Sequence, residues 1–135
     1  PRVAVCSFSN FGSVRHPDVE NAARAVQLAR AQQPGLMIDG EMQTDLALSP
    51  EKRQELFPFC TLEGAANVLV FSRLEGANAA YKVLASMSGV EAIGPILMGM
   101  RRPVHLLQPV SETSDVINMV SIAALDARRY AATRM

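Results

Sequence analysis

The stretch SFSNFGS, residues 7–13, combines three serines, an asparagine and a glycine between an apolar run and a charged, alanine-rich segment. Successive backbone N–H groups in such a turn, placed before a helix, can surround a phosphate. The stretch is neither a Walker A loop, because no lysine follows its last glycine, nor a GxGxxG motif. Its composition therefore allows an anion-binding turn or an ordinary turn. The candidate binding residues in it are Ser7, Ser9, Asn10, Gly12 and Ser13.

A cluster of carboxylates follows in DGEMQTDLALS, which contains Asp39, Glu41 and Asp45. Such a cluster can bind a divalent metal or perform acid–base catalysis. However, both histidines, His16 and His105, are distant from it in the sequence, and Asp-Gly is a common turn. We therefore prefer a role in a turn at the surface for these carboxylates.

The segment GANAAYK places Asn78 and Lys82 four residues apart, so that they share one face of a helix. Both side chains can then point into one cleft, where Lys82 would serve a phosphate as a point charge. Alternatively, Tyr81 belongs to the core and Lys82 is a solvated helix residue.

The segment GPILMGMRRP, residues 94–103, surrounds an apolar stretch with glycines and prolines. Its glycines permit close approach by a ligand or by another chain. Its two arginines can bind a phosphate or remain solvated at a turn. The candidate binding residues here are Gly94, Pro95, Met98 and Arg102.

Asp115 lies in the first turn of a predicted final helix. An acidic residue there stabilises the helix dipole, which is a common structural role. As a general base it would need a reactant within hydrogen-bonding distance. Both roles stay open at this point.

Short β-rich runs alternate with longer helical ones, which is typical of βαβ units and a mostly parallel sheet. The strands are predicted at RVAVCSF, 36–39, 67–71 and 103–107. The helices are predicted at 17–33, after the N-cap Ser49, before Gly89, and from about Ser114 onward. The predicted fold class is α/β, a three-layer α/β/α sandwich of four or five strands formed by residues 1–135 as a single domain.

The composition excludes a strong bulk electric field, because 13 basic and 13 acidic side chains cancel. We therefore expect no nucleic acid or membrane partner. No apolar stretch approaches the ~20 residues that span a bilayer. The two cysteines, Cys6 and Cys60, are predicted to be reduced, and the protein to be cytoplasmic. Because the chain opens at Pro1 directly into a strand-like run, we expect it to be part of a longer protein.

Taken in order, SFSNFGS, PGLMIDGEMQTDLAL, GAANVLVFSRLEGANAAYK, GPILMGMRRPVHLL and SDVINMVSIAALDA resemble successive motifs of the phosphotransacetylase family. The resemblance covers nearly the whole chain and corresponds to the C-terminal half of a complete module. It implies an α/β/α fold and a cleft for coenzyme A or acetyl-CoA, shared with the missing N-terminal half. In active members an acetyl group moves between phosphate and coenzyme A.

The resemblance also implies residue roles. The aspartate that acts as base on the coenzyme thiol matches Asp115, whereas the serine and arginine that help to bind the reacting groups fall at Gln108 and Pro109. An arginine supplies a fixed charge, and the loss of one such donor typically costs ~100-fold in rate. Proline cannot supply even a backbone N–H. Transferase activity is therefore not expected, although a coenzyme pocket could persist.

One branch of the family fits the replacement of the expected serine and arginine by Gln108 and Pro109. The sequences SNFGS, DGEM and NMVSIAALDA resemble the C-terminal domain of hybrid NADP-dependent malic enzymes, which decarboxylate malate oxidatively to pyruvate. The resemblance implies a catalytically silent module that senses acetyl-CoA, with NADP and a divalent metal bound only in the absent malic enzyme domain, and a homo-oligomeric assembly. Two alternatives remain: an active phosphate acetyltransferase, and a mainly structural role in oligomer assembly.

Overall fold

The structure, a computed structural model, describes residues 1–89 and 91–132 and confirms the alternation of strands and helices. The strands are β1 (Arg2–Cys6), β2 (Met37–Met42) and β3 (Val68–Phe71). The helices are α1 (Pro17–Gln32), α2 (Thr44–Leu48), α3 (Pro50–Leu56), α4 (Leu74–Met87) and α5 (Thr113–Ala132). The chain forms two compact units, Pro1–Val83 and Leu84–Met135, and the sheet lies in the first.

The three strands form one parallel sheet in the order β2-β1-β3. In the register of the sheet, Val3 of the central strand pairs with Ile38 on one side and with Val68 on the other. Parallel neighbours need crossover connections, and these are provided by α1 before β2 and by α2 and α3 before β3. The α/β class predicted from the sequence is confirmed.

Helices cover both faces of the central strand, because its side chains alternate between the faces. On one face, the sheet packs against α1 and forms a hydrophobic cluster. The buried members of this cluster are Val3, Val5, Ala22, Val26 and Ile38. The other face is a cluster formed with α2 and the 62–66 segment, whose buried members are Ala4, Cys6, Met42, Leu46, Ala47, Leu62 and Ala66. The sheet and the helices on its two faces make the three layers.

Local signals set the helix boundaries. Helix α1 begins at Pro17, where the missing N–H is tolerated, and the His16 ring Nδ1 accepts a hydrogen bond from the Asp18 N–H at 3.1 Å. Helix α3 begins after Ser49, whose hydroxyl accepts the Lys52 N–H at 3.4 Å, so the predicted N-cap is confirmed.

A β-bulge interrupts the pairing of β1 with β2. Val5 pairs with Gly40 whereas the next residue, Cys6, pairs with Met42. The extra residue turns Met42 onto the face opposite to Ile38, although plain alternation would place both on one face. Only glycine fits at position 40, because its φ is +133° and an added Cβ would lie 2.6 Å from the Val5 carbonyl oxygen.

The prediction of a strand at 103–107 is wrong, and so is the expectation of four or five strands. Among the described residues of the second unit, no segment is a β-strand, so this segment has no ladder partner there. Pro103 also lacks an N–H to donate, and Leu106 and Leu107 remain about half exposed. Within the described part of the chain, no helix is long and apolar enough to cross a membrane.

Candidate functional site

A cavity of about 340 Å³ opens at the carboxyl ends of β1 and β3. The order β2-β1-β3 makes these two strands neighbours, and ligands of open α/β sheets bind in the crevice outside the carboxyl ends of the strands. Polar side chains from the ends of both strands and from the starts of α1, α2 and α4 contribute to its wall. The lining residues with polar side chains are Ser7, Asp18, Thr44, Ser72, Arg73 and Glu75. We refer to it as the strand-end cavity.

A bidentate ion pair joins two sides of the strand-end cavity. Arg73 donates from Nε to one Asp18 carboxylate oxygen at 2.8 Å and from Nη2 to the other at 2.9 Å. The Arg73 side chain is 63% exposed and that of Asp18 is 25% exposed, so solvent reaches the guanidinium. The sequence prediction missed both residues. Their positions, two residues after a strand and in the first helical turn, are the signal that could have identified them.

The predicted turn at residues 7–13 bends around Ser9, which is fully buried. The Ser9 hydroxyl accepts the Val14 N–H at 3.2 Å and lies 3.1 Å from the Ser13 hydroxyl, which also accepts the Asn10 N–H at 3.0 Å. The serines of this turn therefore bind to one another and to the turn's own backbone. Of the predicted residues, Ser7 alone also lines the strand-end cavity.

Glu41 holds the turn from the end of β2. Its carboxylate accepts the Gly12 N–H at 3.0 Å, and its backbone carbonyl accepts the Phe11 N–H at 2.8 Å. With 1% of its surface exposed, Glu41 is a buried strand residue, so the surface role predicted for it is wrong. Because these amides already donate within the protein, an anion could use them only if they changed partners.

Asp39 is also buried and belongs to β2, so its predicted surface role is wrong as well. Its carboxylate accepts from the Thr61 N–H at 2.6 Å and the Thr61 hydroxyl at 2.9 Å, and lies 2.7 Å from Arg30 Nη2. Burial alone would raise the pKa of Asp39, but hydrogen bonds from Thr61, Gly40 and Cys60 outweigh it and lower the pKa. Across residues 1–89 and 91–132, no group of three or more His, Cys, Asp or Glu side chains could hold a metal.

Asn78 and Lys82 lie on α4, where both are exposed. The Lys82 ammonium lies 5.2 Å from the centroid of the neighbouring Tyr81 ring. Tyr81 is 42% exposed, so its assignment to the core is wrong, whereas the exposure of Lys82 agrees with the other half of that alternative.

In the second unit, Met98 and Arg102 line a cavity of about 200 Å³ together with Asp126 and Tyr130 of α5. The structure thus brings two of the predicted residues to one cavity. The predicted pair Gly94 and Pro95 is joined by a cis peptide bond, with Gly94 at φ +149°.

Asp115 lies at the start of α5, and one of its carboxylate oxygens accepts the Glu112 N–H at 2.8 Å. This is the backbone contact of an N-terminal cap, so Asp115 has a structural role here. Before it, Gln108 and Ser111 close a turn, in which the Ser111 N–H donates to the Gln108 carbonyl and the Gln108 N–H to the Ser111 hydroxyl, both at 3.0 Å. Pro109 stands inside this turn and offers no polar side chain.

Comparison with known proteins adds independent evidence. Residues 1–124 match the family model described as phosphate acetyl/butaryl transferase. The chain is 42% identical over 130 residues to an NADP-dependent malic enzyme of Escherichia coli, covering 95% of this chain and 17% of that protein. It is 41% identical over 128 residues to a phosphate acetyltransferase of Paracoccus denitrificans, covering 95% of this chain and 40% of that protein.

The fold is also that of a solved structure. A crystal structure of a phosphotransacetylase from Streptococcus pyogenes superposes with a TM-score of 0.89 at 36% identity, covering 96% of this chain and 39% of that one. The chain therefore spans less than half the length of each of these relatives. The order of motifs, the doubly covered parallel sheet and these similarities agree, and the chain belongs to the phosphate acetyl/butaryl transferase family.

Proposed function

We propose that this chain is part of a regulatory domain that senses acetyl-CoA in an NADP-dependent malic enzyme and has no transferase activity of its own. The observation that carries the proposal is the pair Gln108 and Pro109 at the positions where the family resemblance expects a serine and an arginine. The 42% identity to a malic enzyme of Escherichia coli supports the same context.

The physical argument concerns charge. Acyl transfer between phosphate and a thiol develops negative charge that a fixed cation must stabilise. Gln108 is neutral, Pro109 has neither a charge nor a backbone N–H, and the turn formed with Ser111 uses the Gln108 N–H. The proposed catalytic base, Asp115, is engaged in capping α5. These residues disfavour catalysis.

The strand-end cavity supports ligand binding in the first unit. Coenzyme A carries phosphates, and Arg73 gives the cavity an exposed guanidinium whose fork fits phosphate oxygens. In this proposal acetyl-CoA is the ligand of the chain, while NADP and the divalent metal belong to the malic enzyme domain outside it. The ligand would inhibit malate decarboxylation only through a difference in its affinity for two states of the protein.

Titration calorimetry of the full-length protein with acetyl-CoA tests binding, and NADPH formation from malate with and without acetyl-CoA tests regulation. We expect saturable binding and inhibition over the same concentration range, with free coenzyme A and acetate as ligand controls. A full-length protein that binds no acetyl-CoA would contradict the proposal.

The second candidate is an active phosphate acetyltransferase, which the 41% identity to the Paracoccus denitrificans enzyme favours. Acetyl-CoA formation from coenzyme A and acetyl phosphate decides between the two. The regulatory proposal expects no turnover above background, whereas turnover that Asp115→Asn abolishes would establish the transferase. The double substitution Gln108→Ser and Pro109→Arg restores the residue types that the family resemblance expects. It therefore tests whether the absence of these residue types explains the absence of turnover.

A further inference from the structure

We propose that Arg73 binds a phosphate group of the ligand in the strand-end cavity, and that Asp18 occupies the Arg73 guanidinium until the phosphate displaces it. This inference rests on the proposed function, because it assigns the phosphate-bearing part of acetyl-CoA to a position within the site. The shared chemistry is a tetrahedral oxyanion, which inorganic phosphate also presents.

The geometry of the ion pair supports the exchange. Two nitrogens of Arg73 donate to the two oxygens of Asp18 at 2.8 and 2.9 Å, which is the fork arrangement that guanidinium also makes with phosphate. Asp18 thus holds the guanidinium as an anionic ligand would. A lysine could not reproduce this planar, two-point contact.

The exposure of the pair makes displacement feasible. Because the Arg73 side chain is 63% exposed, solvent screens its contact with Asp18, which limits the free energy that a displacing anion must replace. A phosphate carries up to two negative charges and more acceptor oxygens than a carboxylate, so it can compete for the same nitrogens.

The surroundings offer further donors but also an opposing charge. Ser7, Thr44 and Ser72 line the same cavity, and the Ser7 hydroxyl accepts the Ser9 N–H at 3.2 Å, a bond that uses a lone pair and not the hydroxyl hydrogen. Glu75 adds a second carboxylate to the lining beside Asp18. The proposal therefore requires that Asp18 affects the affinity for phosphate through its contact with Arg73, and not merely by adding a negative charge to the cavity.

The experiment compares Asp18→Asn, Arg73→Gln, Arg73→Lys and Glu75→Gln in the full-length protein. Titration calorimetry measures the affinity for acetyl-CoA and, separately, for inorganic phosphate, after circular dichroism has verified folding. Glu75→Gln is the matched control, because it removes one negative charge from the same cavity without touching the ion pair.

We expect Asp18→Asn to raise both affinities by about threefold, since it frees the guanidinium from a surface pair. Arg73→Gln should lower both by about tenfold, and Arg73→Lys should lower them less. Glu75→Gln should change them less than Asp18→Asn does.

Three results would overturn the inference. A weaker affinity in Asp18→Asn would mean that Asp18 supports Arg73, and an equal gain of affinity in Glu75→Gln would mean that the effect is one of general charge. The third result is an unchanged affinity in Arg73→Gln. If the unsubstituted protein binds acetyl-CoA but shows one of these results, the inference fails and the proposed function stands. If it binds no acetyl-CoA but binds phosphate with the expected pattern, the phosphate site stands and the proposed function fails.

Discussion

Arg53 is a buried cation that connects separate segments of the first unit. With 2% of its surface exposed, it donates from Nη1 to the carbonyls of Leu46 and Ala47 at 2.9 and 3.1 Å. Its Nη2 donates to the carbonyls of Leu62, at 3.0 Å, and Gly64. One guanidinium thus satisfies four acceptors from α2 and from the segment before β3.

Arg53→Met should therefore destabilise the protein, because the side chain keeps most of its volume but removes the guanidinium donor from all four carbonyls, of which that of Ala47 keeps the Ala66 N–H at 3.0 Å. We expect a loss of about 3 kcal/mol or more in the free energy of unfolding, measured by urea titration. Lys52→Met, one residue earlier and 60% exposed, is the control and should change the stability by less than about 0.5 kcal/mol. Equal stabilities of the two variants would contradict the role assigned to Arg53.

Asp39 makes stability depend on pH at the acid end. Its pKa is lowered from the ordinary value of 3.8, so the folded state binds its proton less readily than the unfolded chain does. The contribution of Asp39 is complete above the unfolded pKa and is lost as the pH falls through the folded pKa. We expect the urea midpoint to fall as the pH drops below about 4, and to fall less steeply in Asp39→Asn.

Asp45→Asn provides the control for this prediction, since the Asp45 side chain is 66% exposed. It should leave the acid dependence close to that of the unsubstituted protein. If Asp39→Asn and the unsubstituted protein lose stability in parallel below pH 4, other carboxylates carry the acid response.

At the scale of elements, the bulge between β1 and β2 determines which side chains face the core. Gly40→Ala should disrupt it, because the added Cβ would lie 2.6 Å from a backbone oxygen that cannot move alone. We expect a loss of ~2 kcal/mol or more in the free energy of unfolding. Gly35→Ala, where nothing lies within 4 Å of the added Cβ, is the control. Similar effects of the two substitutions would show that the close approach at Gly40 does not matter.

The elements that the sequence predicted correctly carry strong local signals. Pro17 and the Pro-Gly pair at 34–35 bound α1, Ser49 caps α3, and NVLVF contains β3. The bulge has no such local signal, because it depends on the pairing of Val5 with Gly40, two residues on different strands. The apolar run at 103–107 failed as a strand because apolar residues alone do not supply a pairing partner.

The same difference between local signals and long-range contacts explains which residues of the candidate site the sequence could predict. The serines of the turn were found because their types and spacing are visible in the sequence. The pair Asp18 and Arg73 was missed, since the two residues are 55 positions apart and only the fold brings them together. The burial of Asp39 and Glu41 was missed because acidic residues near Asp-Gly are usually at the surface, and their partners lie in other segments.

At the scale of the whole molecule, large apolar side chains remain exposed in the second unit. Val110 is 83% and Met98 is 82% exposed, and α5 exposes Ile117 and Val120 at 61% and 62%. Apolar surface of this extent is typical of a surface that another chain or segment covers.

We expect the 135-residue chain to self-associate as its concentration rises, measured by sedimentation velocity. Ile117→Lys with Val120→Lys should increase the monomer fraction, because it places two charges on the apolar surface of α5. Ser114→Lys with Ser121→Lys adds the same charge at exposed polar positions of the same helix and should have a smaller effect. An equal effect of both pairs would point to charge repulsion instead of apolar contact.

The central position of β1 has a consequence for the order in which the fold can form. Arg2 pairs with Met37 and Val3 with Val68, so both neighbours of the first strand are made after it. At a synthesis rate of about 5–20 residues per second, β1 is synthesised several seconds before β3. The sheet, including the cavity at the carboxyl ends of β1 and β3, can therefore be completed only after residue 71 has left the exit tunnel.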